Sequence, residues 1–441
     1  MIFMKKVFLI IGLFSLNVFS QSYDAVSLSL AENYTALSRG IYALPWNPGN
    51  LCLSRGNSME LNILSVNAGA FNNALSINSY NRYFTFEGHG GRWSDADKNN
   101  IMDLFDNGLH LNINYSANVL GVAYNNFAFS IQSIVQGGAE LLNNKQLFKT
   151  ALFGDSLTRD YSIKDPKFAK ASAYWANKIS IGYAYPVNVR QFVDIPGVKT
   201  ICAGISLNYF LGNAVVDIRN SSASVQRYRN ESDDDILEYN LNFIGKTASV
   251  DNNFPAGNGF GIDLGFSAHY RKQWQFSWSF ENLFGNIFWI QNVETHVIIE
   301  KDSLLADDLL DNNAEDTSVS EDESYPTGAF STRLPVKMRM GASYQWTKEL
   351  VLTMDWHQGF DHYFGNSSTP QVGIGSEYFA LSWLPLRMGI SVGGSHGFLF
   401  GIGFGLHASF FKFDYSYGMN KGMWPTYSKG LYHAFGFKVT L

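Results

Sequence analysis

Hydrophobic and polar positions alternate with a period of two along most of the chain beyond residue 59. In 398–408, Phe398, Phe400, Ile402, Phe404 and Leu406 share one parity, while Leu399, Gly401, Gly403, Gly405 and His407 share the other. Successive side chains of a strand point to opposite faces, so this segment has one bulky apolar face and one small or polar face. The same pattern recurs. Leu111, Ile113 and Tyr115 oppose Asn112, Asn114 and Ser116; Phe260, Ile262 and Leu264 oppose Gly261, Asp263 and Gly265. Trp274, Phe276 and Trp278 oppose Gln275, Ser277 and Ser279, and Met338 and Met340 lie between Lys337, Arg339 and Gly341. Asn125-Asn126 reads as a two-residue turn between such runs. The runs are about nine to fifteen residues long, against a globular norm of about five or six, and a tilted strand needs about nine to eleven to cross a bilayer.

Two architectures share this pattern. In a soluble sandwich the apolar faces meet and the charged faces are solvated. In a transmembrane barrel the apolar face turns to lipid and the polar face lines the lumen. Strand length and the aromatic load, 15% of the chain, favour an all-β, transmembrane antiparallel barrel. Its lumen-facing candidates are then Asp263, Glu281, Lys337, Arg339, Asp355, His357, Glu377 and Arg387. Phe400, Ile402 and Phe404 would face lipid, and Gly401, Gly403 and Gly405 would form a smooth inner wall open to close approach by another backbone. Alternating inside and outside strands gives about sixteen strands, or fourteen if the polar pair 214–250 does not cross. Insertions near 72–108, 141–171 and 284–331 fall on the extracellular side. Within the first, Ser94, Asp97, Ile101, Leu104, Phe105 and Gly108 spell a capped helix.

The N-terminus fixes the compartment. Lys5 and Lys6 precede the apolar run 7–16 and small residues up to Ser20, which is the form of an export signal over 1–20. Beyond it no apolar run is long enough to span as a helix, so membrane insertion requires a barrel. The expected location is the outer membrane of a Gram-negative cell, in contact with lipid and lipopolysaccharide. The net charge of −6 at 441 residues argues against nucleic acid as a partner. Residues 21–57 lack the alternation; the turn Asn47-Pro48-Gly49-Asn50 marks a segment too short to fold alone, which must pack on or inside the barrel. Its Cys52 and the distant Cys202 read more readily as two independent thiols than as a bridge, although a plug-to-wall disulfide is compatible with their placement.

Chemical motifs are sparse. Gly389-Ile390-Ser391-Val392-Gly393 matches a nucleophile elbow, but that motif needs a strand-to-helix turn and this one lies within a strand. Asp355, His357, Asp361 and His362 could suggest a metal site, and the acidic residues of 301–325 a calcium loop. A polar lumen and a solvated loop explain both better, since neither has fixed ligand spacing. No cofactor motif is legible and no enzyme is expected.

Three ordered segments resemble a known superfamily. Residues 27–40 followed by Trp46-Asn47-Pro48-Gly49-Asn50-Leu51 are similar to the N-terminal plug of FadL-like outer-membrane transporters and their PorV-type relatives, with Gly49 where alanine is usual. Residues 334–344, Gly375-Ser376-Glu377-Tyr378 and Leu386-Arg387-Met388-Gly389 resemble the strand signatures of the same superfamily. The resemblance implies a plugged barrel at 58–441 that passes a hydrophobic small molecule, of fatty acid or aromatic type, across the outer membrane. Asn47, Pro48, Gly49 and Asn50 would shape the plug, and the helical insertion would belong to the capture surface. Two other roles remain open here: a PorV-type barrel that binds secreted or surface proteins without transporting, and an outer-membrane lipolytic enzyme built on Ser391.

Overall fold

The computed structural model describes residues 24–53, 59–90, 93–141, 144–153, 161–187, 196–229, 235–250, 255–305 and 319–441. The expected signal at 1–20, the last residues of the plug segment and much of the acidic loop lie outside them. Nineteen strands follow one another among the described residues: β1 (Met59–Asn72), β2 (Leu109–Tyr124), β3 (Phe127–Leu141), β4 (Tyr161–Asp165), β5 (Ala169–Val187), β6 (Val198–Arg229), β7 (Asp235–Ser249), β8 (Gly257–Tyr270), β9 (Trp274–Trp289) and β10 (Glu294–Leu305). The series continues with β11 (Val319–Pro326), β12 (Phe330–Arg333), β13 (Lys337–Gln345), β14 (Leu350–Gly359), β15 (Gln371–Leu381), β16 (Leu384–Gly393), β17 (Gly397–His407), β18 (Phe411–Asn420) and β19 (Gly430–Thr440).

β19 pairs antiparallel with β1, which closes the sheet on itself. The closed wall has fourteen strands: β1, β2, β3, β5, the first half of β6, β8, β9 and then β13 through β19. Of the two counts the sequence allows, fourteen holds, and the difference arises at β6. This strand pairs with β8 only as far as Gly212; from Ala214 outward it pairs with β7. β7 then pairs with β10, and β10 with β11. The polar pair therefore does not cross the wall but builds, with β4, a sheet standing beyond one end of the barrel.

Burial runs opposite to that of a soluble sandwich. Ile374, Met388, Met354, Ile402 and Leu406 are exposed on the outer face. Asn67, Ser206, Asp263, Asp355, Arg387, Ser391 and Asp414 are buried on the inner one. Only an apolar solvent outside makes that arrangement favourable. One residue departs from expectation. Phe400 has the outward parity but is 9% exposed, with Ile390 and Met419 as its cross-strand neighbours.

Helices gather at the end where the extra sheet stands. Ser94 caps Asp95–Leu104 through a reciprocal box with Asp97, and Ser76 with Ser79 caps Ile77–Phe84 in the same way. With Lys145–Phe153 they enclose an apolar core of Ile101, Phe105, Leu147, Phe148, Phe168 and Leu241, among others. A separate cluster holds Ile134, Tyr174, Phe210 and Val215 of β3, β5 and β6, with Trp289 of β9 and Phe364 of the loop after β14, nearer the middle of the barrel.

Candidate functional site

Residues 24–53 occupy the lumen. Helix Ala25–Ser29 is capped by Asp24, whose Oδ1 accepts the N–H groups of Val26 and Ser27 at 2.9 and 3.0 Å. Burial pushes the Asp24 carboxyl up to about 6, against the opposing pull of the Ser27 N–H, the Lys438 charge and the Val26 N–H. The helix lies against β16, β17, β18 and β19. Ala31 and Glu32 then adopt φ of 49° and 73°, two consecutive left-handed residues that turn the chain at a cost of roughly 1 kcal/mol or more each. The turn aims Glu32 at the wall, where His396 Nε2 lies 2.8 Å from its Oε1 and Gln371 donates to Oε2 at 2.8 Å. His357 approaches to 3.6 Å. Burial raises the Glu32 carboxyl, yet the neighbouring His396 and His357 outweigh it and hold the group well below the ordinary range.

The wall meets this segment with glycine. A Cβ on Gly401 would stand 2.1 Å from the Leu28 carbonyl oxygen, and one on Gly389 2.2 Å from that of Leu30. On the other side, Gly204 and Gly265 would carry theirs 2.4 Å from the Pro48 carbonyl and 2.6 Å from the Gly49 nitrogen. Neither wall could carry a larger residue at these points with the segment seated where it is.

The Asn-Pro turn works through its amides. Asn47 donates to the Phe266 carbonyl and to Ser267 Oγ at 3.0 Å each, while its own Oδ1 accepts the Gly49 N–H at 2.9 Å. Pro48 and Gly49 bring the backbone against β6 and β8. Asn50 donates to the Thr35 carbonyl and Ser38 Oγ and accepts from Gln275, Ser277 and Ser267. It thereby ties the middle of the segment, at 35–38, and its later part, at 50, to one patch of wall. Further contacts come from the Thr35 N–H donating to Asp355 at 2.7 Å and Thr353 donating to the Asn33 carbonyl at 2.7 Å.

Cys52 and Cys202 form a disulfide, with their Cα atoms 6.2 Å apart. The reading of two independent thiols is therefore wrong. Spacing in sequence, 150 residues, hides a contact created only when the segment enters the barrel, and 6.2 Å lies within the reach of a bridge.

Above the segment is a cavity of about 70 Å³, floored by Glu32, Pro45 and Trp46. Among the sequence candidates, Glu281, Lys337, Arg339 and His357 line it. Arg339 pairs with Glu281 at 2.5 Å, donates to the Pro45 carbonyl at 3.2 Å and lies over the Trp46 ring. Asp263 is set back from it, accepting from Asn208 and from the Asn282 N–H at 2.7 Å each, with Lys178 3.7 Å away. Glu377 and Arg387 are elsewhere. They pair at 2.5 Å, and Arg387 also donates to Asp414 at 2.7 Å, a buried triad that braces β15, β16 and β18. Ser391 lies within β16 and accepts from Gln371 at 3.2 Å. Asp361 caps its own loop through the Tyr363 N–H and Asn366, and His362 contacts Ser368, so the four acid and imidazole groups singled out in sequence divide between the lumen and a loop. Sequence reasoning missed Glu32, Lys178, Tyr174, Phe364, Gln371 and His396, which complete the cavity and its surroundings. For Glu32 the only signal is its place within the plug-like segment; Lys178, Tyr174 and Gln371 carry none beyond strand parity, and Phe364 and His396, outside the strands, carry none.

Residues 54–414 match the family model described as "Family of unknown function (DUF5723)". No curated protein matches the sequence. Among solved structures, the chain is similar to the Pseudomonas putida toluene transporter TodX, at 11% identity over 96% of this chain and 98% of that one, TM-score 0.45. It is similar also to the Ralstonia pickettii toluene transporter TbuX, at 12% identity over 97% and 98%, TM-score 0.47. A Pseudomonas aeruginosa FadL homologue aligns at 10% identity over 96% and 99%, TM-score 0.43.

Proposed function

We propose that this chain, which belongs to the DUF5723 family of unknown function, is a passive outer-membrane conduit for hydrophobic small molecules of the fatty acid or aromatic type. The observation that carries this reading is the apolar lining on one side of the barrel. An aqueous channel has a polar interior. Here β3, β5 and β6 bear two apolar clusters one above the other, the upper under the helical cap and the lower reaching the cavity through Ile134, Tyr174 and Phe210. These residues are buried, so an apolar molecule would follow them from the outer end of the barrel to the cavity only once the elements packed on them move. The cavity itself is lined by Glu281, Lys337, Arg339 and His357 as well. The cavity's volume of about 70 Å³ is below the ~150 Å³ that holds benzene, so passage requires the seated segment to move. Its attachments are hydrogen bonds to the wall, each worth about 0.5–1.5 kcal/mol net, an apolar core that joins Leu28, Leu30, Ile41 and Leu44 to wall residues such as Ala123, Ala184, Leu399 and Tyr432, and the Cys52–Cys202 bridge. The movement would therefore be one of the residues before Cys52 about a tethered end. The test is uptake of labelled toluene and labelled oleate by cells with and without the gene. Uptake that depends on the gene is expected; equal uptake of both probes would end this reading.

A second reading is a barrel that binds secreted or surface proteins. It is favoured by the sheet of β4, β7, β10, β11 and the outer half of β6, which stands beyond the barrel and ends in β11, whose described pairing is with β10. Under this reading, loss of the gene leaves uptake unchanged and retains exported proteins inside the cell.

A further inference from the structure

The loop between β14 and β15 does not stand outward from the barrel. It leaves the wall at Gly359, re-enters at Gln371, and between them reaches β2, β3 and β5. In the circular order of the wall those strands lie almost half a circuit from β14 and β15, so the loop crosses the lumen. Its crossing point is Tyr363–Gly365. Phe364 is 2% exposed and held at φ 51°, with its ring centroid 4.7 Å from that of Tyr174 in an edge-to-face contact. Its N–H donates to Ser172 Oγ at 3.1 Å. Beside it, Arg219 lies 4.9 Å over the Tyr363 ring, and Gly365 packs so closely on Gly138 that a Cβ there would be 2.9 Å from the Gly365 Cα.

The rest of the loop is braced on itself. Asp361 accepts from the Tyr363 N–H and Asn366 at 3.1 and 3.0 Å, and Gln358 donates to the Ser368 carbonyl at 2.7 Å. On its underside Asn366, Ser367 and Thr369 line the cavity whose floor is Glu32, Pro45 and Trp46. The cavity therefore has a floor from one part of the chain and a roof from another. The roof is fastened across the lumen by the burial of Phe364 against Tyr174, the Ser172 hydrogen bond, the Arg219 cation–π contact and the backbone packing of Gly365 on Gly138.

We propose that residues 360–370 are a second gate, separate from the plug, and that Phe364 is the latch holding it closed in the socket formed by Tyr174 and Ser172. Phe364 of the gate belongs to the lower cluster, and Gly138, against Gly365, lies on β3 between Ile134 of that cluster and Leu141 of the outer one. Lifting the roof would join the outer cluster to the cavity. As a gate for passage it rests on the conduit reading above, but its opening can be measured without any transported molecule.

The experiment places a reporter thiol in the cavity with Ile134→Cys, both native cysteines being occupied in the disulfide. The purified barrel in detergent is treated with a small, positively charged methanethiosulfonate, and the labelling rate is compared with and without Phe364→Ala. At least a tenfold faster reaction is expected with Phe364→Ala, and a smaller acceleration with Ser172→Ala, which removes one hydrogen bond and leaves the ring. Heat-modifiable gel mobility establishes that each variant is a folded barrel. Unchanged labelling in both folded variants overturns the gate, whatever uptake does. Faster labelling together with gene-dependent uptake that is altered by Phe364→Ala supports both proposals. Faster labelling with no gene-dependent uptake of toluene or oleate leaves the gate standing and removes the conduit reading alone.

Discussion

The glycines that face residues 28–30 allow the seating of the plug to be perturbed from the wall. In Gly401→Ala the new methyl carbon would stand 2.1 Å from the Leu28 carbonyl oxygen, and in Gly389→Ala 2.2 Å from that of Leu30. A carbon–oxygen contact is comfortable at about 3.3 Å or more, so each substitution demands a shift of about 1 Å. The obstructing atoms are backbone, and helix Ala25–Ser29 cannot swing aside as a flexible side chain would. Overpacking of this kind costs about 1–3 kcal/mol. Because it is felt only with the plug seated, it raises the unseated population by about 5- to 150-fold. Purified variants in planar bilayers should show more frequent open events than the parent, and heat-modifiable mobility should show the barrel intact. The effect should persist without reductant, because the disulfide fastens the 52 end of the segment while these glycines press on the 28–30 end. Gly328→Ala, whose Cβ would have no neighbour within 4 Å, is the matched control and should behave as the parent. Folded Gly389→Ala and Gly401→Ala barrels that open no more often than Gly328→Ala would refute the close-packed seat.

Two further outcomes test the plug from its ends. The seated plug favours protonated Asp24, since the carboxyl rises from 3.8 to about 6. Its contribution is therefore fully present below about pH 4 and lost as pH rises through 6, a loss of about 3 kcal/mol at most. Asp24→Asn keeps the capping oxygen and removes the charge, so its advantage in urea midpoint over the parent should be absent at pH 4 and present at pH 8; an advantage equal at both would refute it. Cys52→Ser with Cys202→Ser releases a loop of 150 residues, for which chain entropy gives about 5 kcal/mol as an upper figure. The double variant should show a lower temperature for the heat-modifiable transition and a higher open probability, and an unchanged temperature would mean that the bridge does not hold the segment in place.

What the sequence carries is a record of neighbours one and two residues away. Phe260, Ile262 and Leu264 against Gly261, Asp263 and Gly265 fix a strand and its two faces, and Ser94 with Asp97 fixes a helix start. Neither says which strand lies alongside. Thus the outer half of β6 alternates as well as the inner half, and only the pairing of Ala214–Arg229 with β7, and of β7 with β10, removes it from the wall. The functional interior depends still more on distant partners. Asp355 and Arg387 could be placed on the inner face by parity, but the Thr35 N–H that Asp355 binds and the Asp414 that Arg387 binds are 320 and 27 residues away. Glu32 and Phe364 stand in non-repetitive segments, where no period assigns a face, and both use left-handed backbone that their residue types do not announce. The glycines of 398–408 are intermediate: their small face was legible, and with it the possibility of close approach, while its occupant was not. Leu28 and Ser29 fill that space, so the absence of side chains on β17 is the complement of a segment more than 360 residues earlier in the chain. Movement of that segment and retention of the wall are therefore separable properties, because the glycines remove bulk from the seat without weakening the strand pairings that close the barrel.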